Sequence, residues 1–235
     1  MLNVLYEDRD IIVCVKPVGV LSQGQADKND NMNYLLAQYF ESNGENAQSF
    51  CVHRLDRAVG GTMVYAKTQK AAAKLSALVS SNEIKKEYLA IICGTPENER
   101  GIYKDLLFKD SSKNKSFVVK RMRKGVKEAS LEYELVKTVT PQEKTLSLVK
   151  IRLHTGRTHQ IRVQFSSRKT PLLGDGKYGS SDNNCTVSLW SHRLVFKHPF
   201  SDKVIDCQSY PDSTKYAWSL FEFDENSNEN LASLA

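Results

Sequence analysis

No run of this sequence approaches the ~20 consecutive apolar residues that a membrane-spanning helix needs. The opening Met1–Ile12 segment also lacks the basic and apolar regions of a secretory signal. Cysteines are few and scattered: Cys14, Cys51, Cys93, Cys185 and Cys207 form no Cys-x-x-Cys pair and are odd in number. That usage argues against a disulfide framework and gives no support to a zinc or iron–sulfur centre, so the thiols are expected to be reduced and packed as small hydrophobes. No Walker A pattern, internal repeat or Pro-rich linker is present. These absences point to a cytoplasmic protein with no membrane role, and monomer is the default.

What is present is an ordinary globular composition, with 235 residues, 40% hydrophobic and 26% charged. The net charge of +6 is uneven. Residues 222–235 hold Glu222, Asp224, Glu225 and Glu229 and no Lys or Arg, so the rest of the chain is more basic than the total implies. A basic body favours a polyanionic partner, because neutralising phosphates releases their counterions. Organisation reads as one α+β domain over 1–221, followed by an acidic tail over 222–235 that is expected to be disordered.

Periodicity supplies the elements. Residues 3–6 and 11–16 are β-rich runs around Glu7-Asp8-Arg9-Asp10, which suggests a hairpin closed by Lys16-Pro17-Val18-Gly19. Helices are expected over 31–41, with Leu35, Leu36, Tyr39 and Phe40 on one face, and over about 69–81, with Ala71, Ala72, Leu75, Leu78 and Val79. The intervening segment 42–50 reads as a loop. Strands are expected at 62–66, 86–93, about 129–138, 145–153, 188–196 and 203–209.

Five segments could carry chemistry. In Cys51-Val52-His53-Arg54-Leu55-Asp56-Arg57-Ala58-Val59-Gly60-Gly61, two arginines flank one aspartate. A carboxylate beside guanidinium groups suits a nucleophile or electrostatic partner better than a general acid; spacing alone leaves a surface salt-bridge cluster as the plainer reading. In the second, Thr155-Gly156 breaks a strand and a helix is expected from Arg157 to about Arg168. Its His159 and Arg162 would share one face, while Ile161 and Phe165 share another, giving either an anion grip or a solvated amphipathic helix. In Lys85-Lys86-Glu87-Tyr88-Leu89-Ala90, Tyr88 lies on the face of Ala90 and Ile92, so core packing is the default. Pro171-Leu172-Leu173-Gly174-Asp175-Gly176-Lys177-Tyr178-Gly179 reads as a structured turn. Finally, Lys113, Lys115, Lys120, Arg121, Arg123, Lys124 and Lys127 form an acid-free basic run with Phe117 and Met122 interleaved. That run could track an RNA backbone or be a solvated hairpin.

Together and in this order, these segments resemble the RluA-like family of RNA pseudouridine synthases. His53-Arg54-Leu55-Asp56-Arg57 is similar to the family's loop around its catalytic aspartate, Tyr88 to its active-site tyrosine, and Gly156-Arg157-Thr158-His159-Gln160-Ile161-Arg162 to its third motif. The likeness runs from Leu5-Tyr6-Glu7-Asp8 and Lys16-Pro17-Val18-Gly19 to Gly174-Asp175, Tyr178-Gly179 and His198-Pro199. It implies an α+β fold with a mixed, mostly antiparallel central sheet flanked by helices and loops. It also implies isomerisation of uridine to pseudouridine in ribosomal or transfer RNA without metal or cofactor. Asp56, Tyr88 and Arg162 would be catalytic, with Arg162 pairing with Asp56. Contacts to RNA would come from His53, Arg54, Arg57, Arg157, His159 and Gln160, with Lys120, Arg121, Arg123 and Lys124 from the basic run.

Two positions depart from the family pattern. Val59-Gly60-Gly61 stands where Thr-Ser-Gly is usual, and Gln164 where histidine is common. The accessory RNA-binding domain of many relatives is expected to be missing, since the catalytic hairpin begins at residue 3. The first departure motivates a rival reading, an RNA-binding or chaperone protein that keeps the fold without the reaction. A remoter rival, a hydrolase using His53 or His159, would need a second acid or a metal near Asp56.

Overall fold

The computed structural model describes residues 2–25, 28–182 and 184–223. In chain order the elements are β1 (Val4–Glu7), β2 (Ile11–Lys16), α1 (Met32–Ser42), β3 (Phe50–Cys51), β4 (Gly60–Ala66), α2 (Gln69–Ser80) and β5 (Lys85–Cys93). Then follow β6 (Arg100–Asp110), β7 (Lys115–Val119), β8 (Val126–Val139), β9 (Leu146–Leu153), α3 (Gln160–Ser166), β10 (Leu189–Lys197) and β11 (Val204–Gln208). The strands form one sheet in the order β1-β2-β4-β10-β5-β9-β8-β6-β7, with β3 beside β4 and β11 beside β10. Among the described strand pairings only β4–β10 is parallel. This is the α+β class and mostly antiparallel sheet that the sequence implies.

Strand alternation sorts the core onto two sides. Ile12, Cys14, Met63, Tyr65, Tyr88, Ala90 and Ile92 bury against Met32, Leu36 and Phe40 of α1 and Ile161 and Phe165 of α3. Their neighbours Ile11, Val13, Val64 and Ala66 bury against Ala71 and Leu75 of α2. Both longer helices start at side-chain caps: Asn31 Oδ1 accepts from Tyr34 N at 3.2 Å, and Thr68 Oγ1 from Ala71 N at 3.1 Å.

Two stretches carry strands that the sequence pattern does not place. The long strand β6 escapes sequence reading because it is covered on one face only: Tyr103 and Leu107 are buried while Ile102 and Lys104 are exposed. Ile102, Leu106 and Phe108 on its open face and Asp105 on the covered one blur the alternation. The segment 113–127 contains β7, which pairs with β6 from Asp110↔Lys115 to Leu106↔Val119 as a hairpin, a form the sequence leaves open. The acidic tail lies outside the described residues from residue 224 on; Phe223 just before it packs near Tyr210 and Trp218.

Candidate active site

The loop bearing Asp56 is clamped on both sides. Before it, Ser22 Oγ donates to Leu55 O and accepts from Leu55 N, each at 2.9 Å. After it, the Arg57 carbonyl accepts from Gly19 N at 2.9 Å and from Lys16 Nζ at 3.3 Å. Lys16 is fully buried, and its ammonium also donates to Pro17 O at 2.9 Å and Val20 O at 2.6 Å. Burial pushes its pKa down to about 8, against the opposing pull of Asp56. One ammonium thus joins the turn after β2 to the loop carrying the aspartate.

The Asp56 partner comes from α3. Arg162 is buried, and its Nη1 donates to Asp56 Oδ2 at 2.9 Å. The other edge of the guanidinium is gripped by the fully buried Asp175, with Nε to Oδ2 at 2.6 Å and Nη2 to Oδ1 at 2.8 Å. Desolvation alone would lower the Arg162 pKa, but the Asp175 and then Asp56 carboxylates overrule it and raise it. Such a two-pronged grip fixes the guanidinium plane and aims the remaining N–H groups. Asp175 was read from sequence only as part of a turn.

The start of α3 sets a third group. The helix begins at Gln160 rather than Arg157, because His159 adopts left-handed backbone at φ 54°. Its Nε2 lies 3.6 Å from Asp56 Oδ2, and its Nδ1 lies 2.9 Å from the Tyr178 hydroxyl. Tyr178 Oη accepts from Ser116 N at 2.8 Å, which leaves its own proton to donate to His159 Nδ1. The His159 proton therefore sits on Nε2, toward Asp56. Burial holds the ring below its ordinary pKa, with Asp56 opposing and Arg162 reinforcing that shift. Both partners of Asp56 meet Oδ2, so among the described residues Oδ1 is left open.

Asp56, with its side chain 29% exposed, lies in a cleft of about 910 Å³. Among the described residues, seven Lys or Arg side chains line that cleft (Arg54, Arg57, Lys86, Lys109, Arg157, Arg162 and Lys177), and Asp56 is the one carboxylate doing so. Tyr88 enters from β5 with Leu55, Ile161 and Leu189 around it. Burial raises the Tyr88 pKa, the Ser191 hydroxyl opposing and Asp56 adding to it. Tyr88 is accordingly a neutral phenol, suited to packing and donation rather than to removing a proton.

The remaining residues separate into two groups. Arg54 is exposed in the cleft, whereas Arg57 Nε donates to Gly19 O at 2.8 Å, so the two arginines do not form a salt-bridge cluster with Asp56. Arg157 lines the cleft and donates to Glu128 O at 2.9 Å. His53 lines it too, its Nε2 accepting from Val64 N at 3.2 Å. Gln160, expected as an RNA contact, is buried. Its amide donates to Ser130 O at 3.0 Å and accepts from Thr155 Oγ1 at 2.8 Å and Arg157 N at 3.0 Å. It is a tie within the loop. Lys120, Arg121, Arg123 and Lys124 are exposed outside the cleft lining, and Arg123 stacks over Phe108 with its guanidinium carbon 5.0 Å from the ring centroid. The β6–β7 hairpin reaches the cleft instead through Lys109 and Asn114, which sequence reasoning missed.

At positions 60 and 164 the departures from the family pattern have local explanations, while Gly61 keeps the family's glycine. A Cβ at Gly60 would meet the Trp190 ring at 2.4 Å, and one at Gly61, where φ is +119°, would meet Ser191 O at 2.2 Å. The close β4–β10 approach requires both glycines. Gln164 donates to Asp105 Oδ2 at 2.7 Å, tying α3 to β6 away from Asp56. Among the described residues no cluster of three or more His, Cys, Asp or Glu is placed to hold a metal, and no helix is long and apolar enough to cross a membrane.

A family model described as RNA pseudouridylate synthase matches residues 10–167, which span the clamped loop, β5 and α3. The chain belongs to the RNA pseudouridylate synthase family. Members are isomerases that modify RNA, and relatives agree along most of the chain. An uncharacterised RNA pseudouridine synthase of Aquifex aeolicus is 32% identical over 95% of this chain and 69% of its own length. The ribosomal large subunit pseudouridine synthase D of Zymomonas mobilis is 34% identical over 87% of this chain and 68% of its own. Human RNA pseudouridylate synthase domain containing 1 has the same fold, with a TM-score of 0.72 at 20% identity over 93% of this chain and 86% of that one.

Proposed function

We propose that this pseudouridine synthase isomerises a specific uridine of ribosomal or transfer RNA, with Asp56 as its catalytic carboxylate. The observation that carries the assignment is the pairing of Asp56 Oδ2 with Arg162 Nη1 at 2.9 Å, in a basic cleft beside Tyr88, with Oδ1 unpaired among the described residues. The reaction breaks the ribose C1′–N1 bond, turns the uracil, forms C1′–C5 and releases the C5 proton. Its target base must first leave the stack, which costs a few kcal/mol. Arg54, exposed and without a protein partner among the described residues, stacks where the base had been. Asp56 then acts at the sugar, by attack on C1′ or by removal of the 2′ proton; both routes use the open Oδ1. Tyr88 packs on the uracil, and its raised pKa argues against a role as the base that takes the C5 proton.

Ribosomal RNA is the first substrate class to test, because the Zymomonas mobilis relative is named for the large ribosomal subunit. The free cysteines fit the reducing cytoplasm. The test is tritium release from RNA labelled at uridine C5, transcribed in vitro from ribosomal and transfer RNA templates. Wild type should release label and Asp56→Asn should not, while both bind the RNA. Turnover by Asp56→Asn within tenfold of wild type would remove Asp56 from its role. Binding without release by wild type would favour the RNA-chaperone reading.

A further inference from the structure

Most cations of the cleft are accounted for. Arg162 is gripped by two carboxylates, and Arg57, Arg157 and Lys177 donate to the carbonyls of Gly19, Glu128 and Asn114. Arg54 and Lys109 are exposed and therefore hydrated. Lys86 differs from all of these. It is largely withdrawn from water, yet among the described residues its ammonium has no hydrogen bond and no ion pair. Alternation along β5 places it on the side of Tyr88, two residues or roughly 7 Å away. Its partner across β9 is Leu153, which lines the same cleft.

His53 sits beside it. Because His53 Nε2 accepts from Val64 N, the ring proton is on Nδ1. That N–H also meets no acceptor among the described residues. Desolvation and the neighbouring Lys86 charge push the His53 pKa down to about 3, and desolvation lowers that of Lys86. A neutral N–H donor and an unpaired ammonium thus share one end of the cleft. Withdrawing a charge from water without a partner is unfavourable, and it persists where a ligand supplies the partner.

We infer that Lys86 and His53 form a seat for one backbone phosphate flanking the target uridine, a reading that rests on the RNA substrate proposed above. The seat lies on the α2 side of Asp56, where Ser80 and Asn82 also line the cleft. Lys109 and Lys177 lie toward the β7 edge, so the RNA strand is held on both sides of the reacting nucleotide.

The test compares wild type, Lys86→Met and Lys86→Arg by the half-saturating concentration of the C5-tritiated transcripts across a range of salt. Lys86→Met should raise that concentration about tenfold, as loss of a charge-assisted hydrogen bond does. It should also flatten the log–log salt slope by about 0.7, the contribution of one phosphate on a single strand. Lys86→Arg should recover most of both, and the Lys86→Met melting temperature should equal or exceed wild type because a desolvated unpaired charge is gone. Unchanged half-saturation and slope in Lys86→Met would overturn the seat, as would Lys86→Arg failing like Lys86→Met. If wild type released no tritium, the enzymatic reading would fail separately; filter binding of the same transcripts would still judge the seat by the same shift and slope.

Discussion

Asp175 is the residue through which the proposed mechanism is most sharply tested. It does not itself line the cleft, yet it makes two of the three hydrogen bonds that fix Arg162. Asp175→Asn keeps the size of the side chain but puts an NH₂ opposite one guanidinium N–H, converting a hydrogen bond into a donor–donor contact. It also leaves the buried guanidinium with Asp56 as its one carboxylate. Removing one partner of a buried ion pair typically costs about 3–5 kcal/mol. Because Asp56 remains, the lower end applies, and about 3 kcal/mol corresponds to roughly 6–12 °C in melting temperature for a domain of this size. The rate should fall further than stability explains. A guanidinium free to pivot no longer holds Asp56 at one angle, and a misplacement of about 1 Å costs on the order of 10²-fold. Single-turnover tritium release at 20 °C, with circular dichroism confirming a folded sample, separates the two effects. Asp175→Asn should lower the maximal rate about 100-fold with little change in RNA binding. A rate within threefold of wild type, or a loss seen only in binding, would refute the view that Asp175 positions Arg162.

Two further outcomes follow from charge. Neutralising Lys120, Arg121, Arg123 and Lys124 together should weaken RNA binding and flatten its salt slope by at least about 0.7; an unchanged slope, measured by filter binding, would make that turn a solvated surface. The fold should also lose stability as pH falls from 6.5 toward about 4. His53, His159 and His192 are each held neutral below their ordinary pKa of 6.5, chiefly by burial, so the unfolded chain takes up protons there that the folded chain does not. A melting temperature constant between pH 7.5 and 4.5 would contradict this.

The sequence declares those elements whose faces are unequal. β2, α1, α2 and β9 each have one strongly apolar side and were legible to within two residues. β6 was not, because its open face carries Ile102, Leu106 and Phe108 beside Lys104 while its covered face carries Asp105, so the two faces look alike in sequence. The start of α3 was misplaced for another reason. Thr158 and His159 read as ordinary helix residues, and nothing local announces that His159 takes a left-handed conformation. That choice follows from long-range contacts: Tyr178 holds the ring, and Ser116 of β7 holds both Tyr178 and the Thr158 carbonyl, the latter through its hydroxyl at 2.6 Å.

The same distinction explains the site. Asp56, Tyr88 and Arg162 were nameable because each lies in a dense motif, but what makes them a unit comes from residues that look structural in isolation. Lys16, Asp175 and Tyr178 are all buried, and their partners lie up to 62 residues away in sequence. A carboxylate in a solvated, positively charged cleft could turn toward any of seven cations. It is held to one because Asp175 has already fixed the Arg162 plane, Lys16 has fixed the loop, and Tyr178 has fixed the His159 tautomer. Electrostatic preorganisation of that kind acts by removing reorganisation at the moment of reaction. The positioning residues therefore belong to the chemistry as much as the groups they hold, and substitutions there should appear in rate before they appear in binding.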